Sequence, residues 1–72
     1  MKYKIKEQYA VNPIGKEIIK EFTSLDAAKN WAAKNRIFAN SSLCIENLHG
    51  TLICRNDGDE WQILKGVNKN GI

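Results

Sequence analysis

Two turn signals in the second half of the chain constrain its fold more than any other feature. His49-Gly50 and Asp57-Gly58 each stand between short stretches rich in apolar residues, and two-residue turns of this type join adjacent antiparallel strands. The sequence therefore predicts three consecutive strands, at residues 43–48, 51–55 and 60–64.

The two turns also determine which side chains share a face of the sheet. Counting outward from each turn gives one consistent inner face, because Cys54 belongs to both hairpins. The predicted pairs are Ile45–Cys54, Cys54–Trp61 and Leu52–Ile63 on this face, and Arg55–Glu60 and Ile53–Gln62 on the other. Cys54 and Trp61 are thus assigned to the core, and Cys44 to the surface.

The N-terminal residues alternate as a half-buried strand does. One side carries Tyr3, Ile5 and Tyr9, and the other carries Lys2, Lys4, Lys6 and Gln8. Asn12-Pro13-Ile14-Gly15 has the composition of a turn, so a second strand is predicted at residues 16–22. Ile18 and Phe22 are expected to face inward, and the lysine stripe outward.

A single helix is predicted after this hairpin, from Leu25 to about Arg36. Thr23 or Ser24 can cap its N-terminus, and Asp26 suits the positive end of the helix dipole. At 100° per residue the buried stripe is Leu25, Ala28 and Ala32, with Trp31 at its edge, and the opposite side is Asp26, Asn30, Ala33 and Lys34, with Lys29 on the flank.

Together these elements predict an α+β domain of order ββαβββ, a five-stranded antiparallel sheet curled over a single helix. The domain is expected to occupy residues 1–64, followed by a flexible tail at residues 65–72. A chain of 72 residues buries only about 60% of its unfolded surface, and a deep substrate pocket is hard to build in so small a core. Size therefore favours a binding protein over an enzyme.

Net charge and hydropathy limit the cellular compartments and the kinds of partner that are expected for this chain. The net charge is +3, a mild excess that is weak evidence for nucleic-acid binding by itself. No apolar run approaches the ~20 residues that span a bilayer, and the charged N-terminus has no apolar signal-peptide core. We therefore expect a cytoplasmic monomer with no membrane partner.

Candidate catalytic and metal-binding groups are few. Cys44 and Cys54 lack the close Cys-x-x-Cys spacing of zinc sites, and their placement on opposite faces argues against a mutual disulfide. Cys44 and His49 are the one conceivable nucleophile–base pair, but no third group is evident to orient them. The acids within residues 56–60 fit a hairpin turn better than a calcium loop. We predict no catalytic residue, no metal and no cofactor.

Short motifs follow one another along most of residues 1–64. In order, they are Tyr3-x-Ile5-Lys6-Glu7, Ser24-Leu25-x-x-Ala28-Lys29-x-x-Ala32-x-Lys34, Leu43-x-Ile45-Glu46, Gly50, Asp57-Gly58 and Trp61. In this order and spacing the chain resembles a family of small phage-encoded anti-CRISPR proteins. These proteins inhibit the type I-F surveillance complex, and the most similar member binds the backbone subunits of that complex.

The resemblance implies a non-enzymatic inhibitor in the host bacterial cytoplasm, docked on the backbone subunits so that target DNA cannot pair with the guide. It implies partner-binding roles for the helix residues Lys29 and Lys34, and non-specific DNA as a further partner of the inhibited complex. Asn30 stands where the family has a basic residue, which weakens the expected DNA contact. Lys4 and Lys6, from the lysine stripe, complete the predicted partner-binding set.

Two other interpretations use the same residues. A stand-alone nucleic-acid-binding module, built on the lysine stripe and the helix, would bind naked DNA with a steep salt dependence. A small structural or regulatory protein of β-grasp type would bind a protein partner. The inhibitor, in contrast, requires the surveillance complex.

Overall fold

A computed structural model of the protein describes residues 1–10, 12–58 and 60–63. Its elements are β1 (Lys2–Tyr9), β2 (Asn12–Glu21), α1 (Leu25–Lys34), β3 (Ser42–Glu46), β4 (Leu52–Asn56) and β5 (Trp61–Ile63). The strands form one antiparallel sheet of order β2-β1-β3-β4-β5. The predicted α+β class and the order ββαβββ are confirmed. The predicted tail lies outside the described residues.

The core lies between α1 and the concave face of the sheet, where alternate residues of β1, β3 and β4 point inward. Its buried members are Tyr3, Ile5, Phe22, Ala28, Ala32, Leu43, Ile45 and Cys54. The two alanines let the helix approach the central strand β3 closely, since a larger side chain would hold the layers apart. In the described part of the chain, no helix is long and apolar enough to cross a membrane.

The helix begins where its cap predicts and ends slightly earlier than expected. Ser24 is the N-cap, and its Oγ accepts a hydrogen bond from the Ala27 N–H at 3.1 Å. At the other end the Asn35 side chain donates to the Trp31 carbonyl oxygen at 2.9 Å, which satisfies a carbonyl of the last turn. This polar cap stops the helix at Lys34 rather than near Arg36.

The first hairpin differs from its prediction, because Asn12-Pro13-Ile14-Gly15 belongs to β2 rather than to a turn. Tyr9 pairs with Asn12, and the register then shifts between Ile5 and Glu7. Gly15, at φ +71, accommodates this bulge, since a left-handed backbone suits glycine. Pro13 is tolerated because β2 is an edge strand with no outer neighbour that needs its missing N–H.

The last hairpin has a longer loop than the two residues predicted. The pair Ile45–Cys54 is confirmed, but Cys54 pairs with Ile63 and Asn56 with Trp61. This shift of two residues keeps the β5 side chains on their predicted faces, but Ile53, predicted to face outward, packs against the core, because a bulge shifts the β3–β4 register between Ile45 and Glu46. The two-residue shift moves Trp61 away from the centre, so Trp61 is half-buried at the edge of the core rather than inside it.

Asn56 provides the physical reason for the longer loop. Its Oδ1 accepts hydrogen bonds from the Gly58 N–H at 2.8 Å and from the Arg36 guanidinium at 3.1 Å. The first bond folds the chain back through the Asn side chain, in place of a two-residue backbone turn. Because Ile63 pairs with Cys54, the predicted pair Leu52–Ile63 is wrong, and on its other side Leu52 pairs with Glu46 next to a bulge.

The two cysteines are on opposite faces and are both free thiols, as predicted. The surface assignment of Cys44 is wrong, because only 5% of it is exposed. Lys6 and Arg55 are its cross-strand neighbours, and their aliphatic stems cover the thiol on the convex face. Burial raises the pKa of both thiols, to about 11 for Cys54.

Candidate binding surfaces

Of the predicted helix residues, Asn30 and Lys34 lie on the solvent side of α1, and Lys29 lies on its partly covered flank. Asn30 and Lys34 are exposed and form a shallow surface with Trp31 and Ala33. The Lys29 Nζ lies 3.7 Å from Asp26 Oδ1, and only 19% of the Lys29 side chain is exposed. Lys34 forms no ion pair with any other described residue, so it is the more available of the two cations.

The predicted strand lysines belong to a different surface, the convex face of the sheet. The Lys6 Nζ lies 3.1 Å from Glu46 Oε2 and 3.5 Å from Glu17 Oε2. The hydrogen bond that Lys6 donates to Glu46 raises the pKa of Lys6 despite partial desolvation. Lys4 is half-buried beside Glu46 and Ile19. The structure therefore divides the five predicted site residues between two faces and does not bring them together.

A residue absent from the predicted set, Glu7, holds the loop that follows the helix. Glu7 faces the concave side and is 9% exposed. Its carboxylate accepts hydrogen bonds from the Ile37 N–H at 2.9 Å, from the Phe38 N–H at 3.0 Å and from the Ser41 hydroxyl. Burial acts to raise the pKa of Glu7, but these donors and the nearby Arg36 guanidinium outweigh it, and the pKa is lowered.

This carboxylate fixes the backbone of a loop whose apolar side chains stay in solvent. Ile37 is 58% exposed and Phe38 52%. The Phe38 ring contacts Tyr9 edge-on, with ring centroids 6.2 Å apart. A buried ionised group that anchors exposed apolar side chains is typical of a preorganised contact surface, because the loop need not be ordered on binding.

Arg36 ties the same loop to the far end of the sheet. Its guanidinium donates to the Gly58 carbonyl oxygen and to Asn56 Oδ1, both at 3.1 Å. Hydrogen bonds of the Glu7 carboxylate and the Arg36 guanidinium thereby link the loop after α1 to β1 and to the β4–β5 loop. The inward position of Glu7, between Ile5 and Tyr9 in a period of two, was the one sequence signal for this network.

The structure does not assemble the alternative catalytic or metal-binding groups. His49 is exposed in the β3–β4 turn, whereas the Cys44 sulfur lies beside Gln8. Over residues 1–10, 12–58 and 60–63, no group of three or more His, Cys, Asp or Glu side chains is placed to hold a metal ion. What the described surface offers is a basic helix face, exposed apolar side chains and open sheet edges, which define a small binding protein.

Comparisons with known proteins agree with this class. No protein-family profile matches the chain, and no curated protein matches it significantly. A solved structure, AcrIF9, is 32% identical, with a TM-score of 0.75 over 90% of each chain. The chain belongs to the type I-F anti-CRISPR family, and the family resemblance of its sequence is confirmed.

Proposed function

We propose that this protein inhibits the type I-F CRISPR-Cas surveillance complex by binding it, without catalysing a reaction. It docks on the backbone subunits of the complex and prevents target DNA from hybridising to the guide. The observation that carries the proposal is the likeness to AcrIF9, which extends over nine-tenths of both chains. Steric occlusion of this kind needs a rigid surface and no reactive group.

The exposed side of α1 is the proposed docking face. Lys34 is uncompensated among the described residues and lies beside the large ring of Trp31. Lys29 is paired with the exposed Asp26 at 3.7 Å, and only 19% of its own side chain is exposed. Lys29 is therefore the lesser contributor to this face, beside Lys34. Asn30 between them adds a neutral hydrogen-bonding group.

The strand lysines have a smaller role in this proposal. Lys6 is held by two carboxylates, so recruiting it to a partner breaks two existing ion pairs. Lys4 is half-buried, with Glu46 across the strand. We therefore place Lys4 and Lys6 at the periphery of the interface.

The experiment that tests the proposal measures target-DNA binding by the purified type I-F complex with and without this protein. We expect stoichiometric protein to abolish hybridisation of target DNA to the guide. A parallel titration with naked duplex DNA tests the stand-alone nucleic-acid module. Tight, salt-sensitive binding to naked DNA without any effect on the complex would contradict the proposal.

A further inference from the structure

The helix leaves the concave side of β2 largely uncovered. Among the sheet strands, α1 packs principally on β3, the central one, whereas β2 is an edge strand. Ile18 pairs with the buried Ile5 and so faces the helix side, yet it remains 39% exposed. The predicted inward direction of Ile18 is therefore correct, but no element among the described residues fully covers its side chain.

An apolar groove of about 320 Å³ results. Ile14 and Ile18 of β2 form one wall, and Trp31 and Ile37 contribute the other. The groove is preformed. The Ile37 backbone is held by Glu7, and Ile37 Cδ1 packs within 3.4 Å of the place where a Cβ on Gly15 would stand.

The exposed charges at the rim of this groove are lysines, whereas the one carboxylate among its lining residues, the buried Glu7, already accepts hydrogen bonds from Ile37, Phe38 and Ser41. Lys16 lines it, Lys20 shares its face of β2 opposite Tyr3, and Lys34 lies next to Trp31. None of the three forms an ion pair within the described ranges. The acids of β2 are directed elsewhere, since Glu17 pairs with Lys6 and Glu21 with the N-terminal amine.

The outer edge of β2 is also open. The strand is ten residues long and pairs with β1 on one side only, as the end of the sheet order requires. An extended segment placed along this edge would gain main-chain hydrogen bonds. Every second side chain of such a segment would point over the groove.

A second copy of this chain is a poor occupant of that edge. A twofold sheet continuation pairs residues of the same face, so its register is centred on a residue. Centring on Ile18 places Lys16 opposite Lys20, and centring on Ile19 places Glu17 opposite Glu21. Both registers bring like charges together, which is destabilising.

We infer that β2 and its groove form a second docking surface, which takes an extended segment of a partner protein whose groove-facing side chains, at every second residue, are apolar and acidic. The apolar side chains enter the groove and the carboxylates meet the lysine rim. The inference deepens the proposed function and rests on it for the partner, a protein subunit of the surveillance complex. The chemistry of the groove can be tested without that complex.

The first test is an NMR titration of the full chain with a capped peptide of repeating Leu-Thr-Asp-Thr, in which Leu and Asp share one face of the strand. We expect saturable shifts of the Ile14, Ile18 and Ile37 methyl groups and of the β2 amides, and none with a peptide in which Lys replaces Asp. Absent shifts, or shifts centred elsewhere, would overturn the inference. Concentration-dependent shifts without peptide would assign the edge to a second copy. NOEs from residues 64–72 to the groove would assign it to the chain itself.

Two adjacent isoleucines supply a matched pair of variants. Ile18→Asp should weaken peptide binding by about tenfold or more, whereas Ile19→Asp should leave it within about twofold, because Ile19 is 57% exposed on the other face. Lys16→Glu, an exposed rim change, should also weaken binding and covers the case in which Ile18→Asp fails to fold. Equal effects of Ile18→Asp and Ile19→Asp would refute the groove.

The same variants, bound to the purified surveillance complex, test the partner. We expect Ile18→Asp and Lys16→Glu to lose affinity for the complex and Ile19→Asp to keep it. If the parent protein does not bind the complex, the proposed function fails while the peptide titration still decides the groove. If the parent binds and both groove variants bind equally well, the partner assignment is wrong.

Discussion

At the scale of single residues, Glu7 shows where sequence reasoning stops. Its position in the period-two pattern predicts an inward side chain, and the same pattern correctly predicted that Tyr3 and Ile5 face the core. Its donors, Ile37, Phe38 and Ser41, are more than 29 residues away in sequence. No local pattern could pair them, because the contact depends on how the helix returns the chain to β1.

Removing the Glu7 carboxylate should destabilise the domain. Glu7→Ala removes the acceptor of the Ile37 and Phe38 N–H groups, whereas the Ser41 hydroxyl can still donate to the Phe38 carbonyl oxygen at 2.8 Å, and a buried donor left unpaired costs about 1–3 kcal/mol. Denaturant unfolding measures the change in unfolding free energy. Glu17→Ala is the matched control, a half-exposed strand carboxylate whose ion pair contributes about 0–1 kcal/mol. Equal losses in the two variants would contradict the account of the loop.

The pH dependence of stability should carry the same signature. The pKa of Glu7 is lowered from its ordinary value of 4.5, so its contribution is full above that value and is lost as pH falls through the folded pKa. The pKa of Asp57 is lowered by hydrogen bonds from Ser42 and Arg55 and acts in the same direction. Between pH 7 and pH 3 the free energy of unfolding should therefore fall less steeply for Glu7→Gln than for the parent. Identical slopes would show that Glu7 does not contribute to the pH dependence.

The cysteines should be unreactive in the folded protein. Cys44 and Cys54 are 5% and 0% exposed, and burial raises both pKa values, so little thiolate is accessible at pH 8. Mass spectrometry after brief iodoacetamide treatment should find no adduct on native protein and two on unfolded protein. Rapid native labelling at Cys44 would show that Lys6 and Arg55 do not cover it.

At the scale of elements, local sequence signals predicted which strands and helices form, and which way their side chains point, better than they predicted the register between strands. Ser24 and the alanine stripe correctly placed α1, and period two correctly placed β1. The β4–β5 register depends on Asn56, whose amide is held by Arg36 from 20 positions away in sequence. The Asn12–Gly15 segment has turn composition, but the bulge that uses it exists only because β1 supplies a partner.

The glycine in that bulge is the most direct test of the element scale. Gly15→Ala forces a left-handed alanine, at about 1–2 kcal/mol, and also places a Cβ 3.4 Å from Ile37 Cδ1. Gly50 is also left-handed, at φ +88, but has nothing within 4 Å of its Cβ position. In thermal unfolding, the melting temperature of Gly15→Ala should therefore be equal to or lower than that of Gly50→Ala. A Gly15→Ala variant as stable as the parent would contradict the bulge.

At the scale of the whole molecule, the sheet separates surfaces that the sequence had grouped by charge alone. Lys29, Asn30 and Lys34 lie on the helix side, and Lys4 and Lys6 on the convex side. Their residue types and positions follow from the sequence, but the neutralisation of Lys6 by Glu17 and Glu46 needs three strands in register. Their role in partner binding remains a prediction, and the helix residues are its strongest part.

The measurement that tests the central claim most directly is target-DNA binding by the purified type I-F complex in competition with parent protein and with the double variant Lys29→Glu/Lys34→Glu. Lys34 is exposed, so its reversal should cost within about 0.5 kcal/mol, whereas only 19% of the Lys29 side chain is exposed, so thermal unfolding must first show that the double variant is folded. Lys2→Glu, an exposed reversal on the convex face, is the charge control. We predict that the folded double variant loses inhibition by about tenfold or more, while Lys2→Glu retains it. A folded double variant that blocks target DNA as well as the parent would contradict docking through the helix.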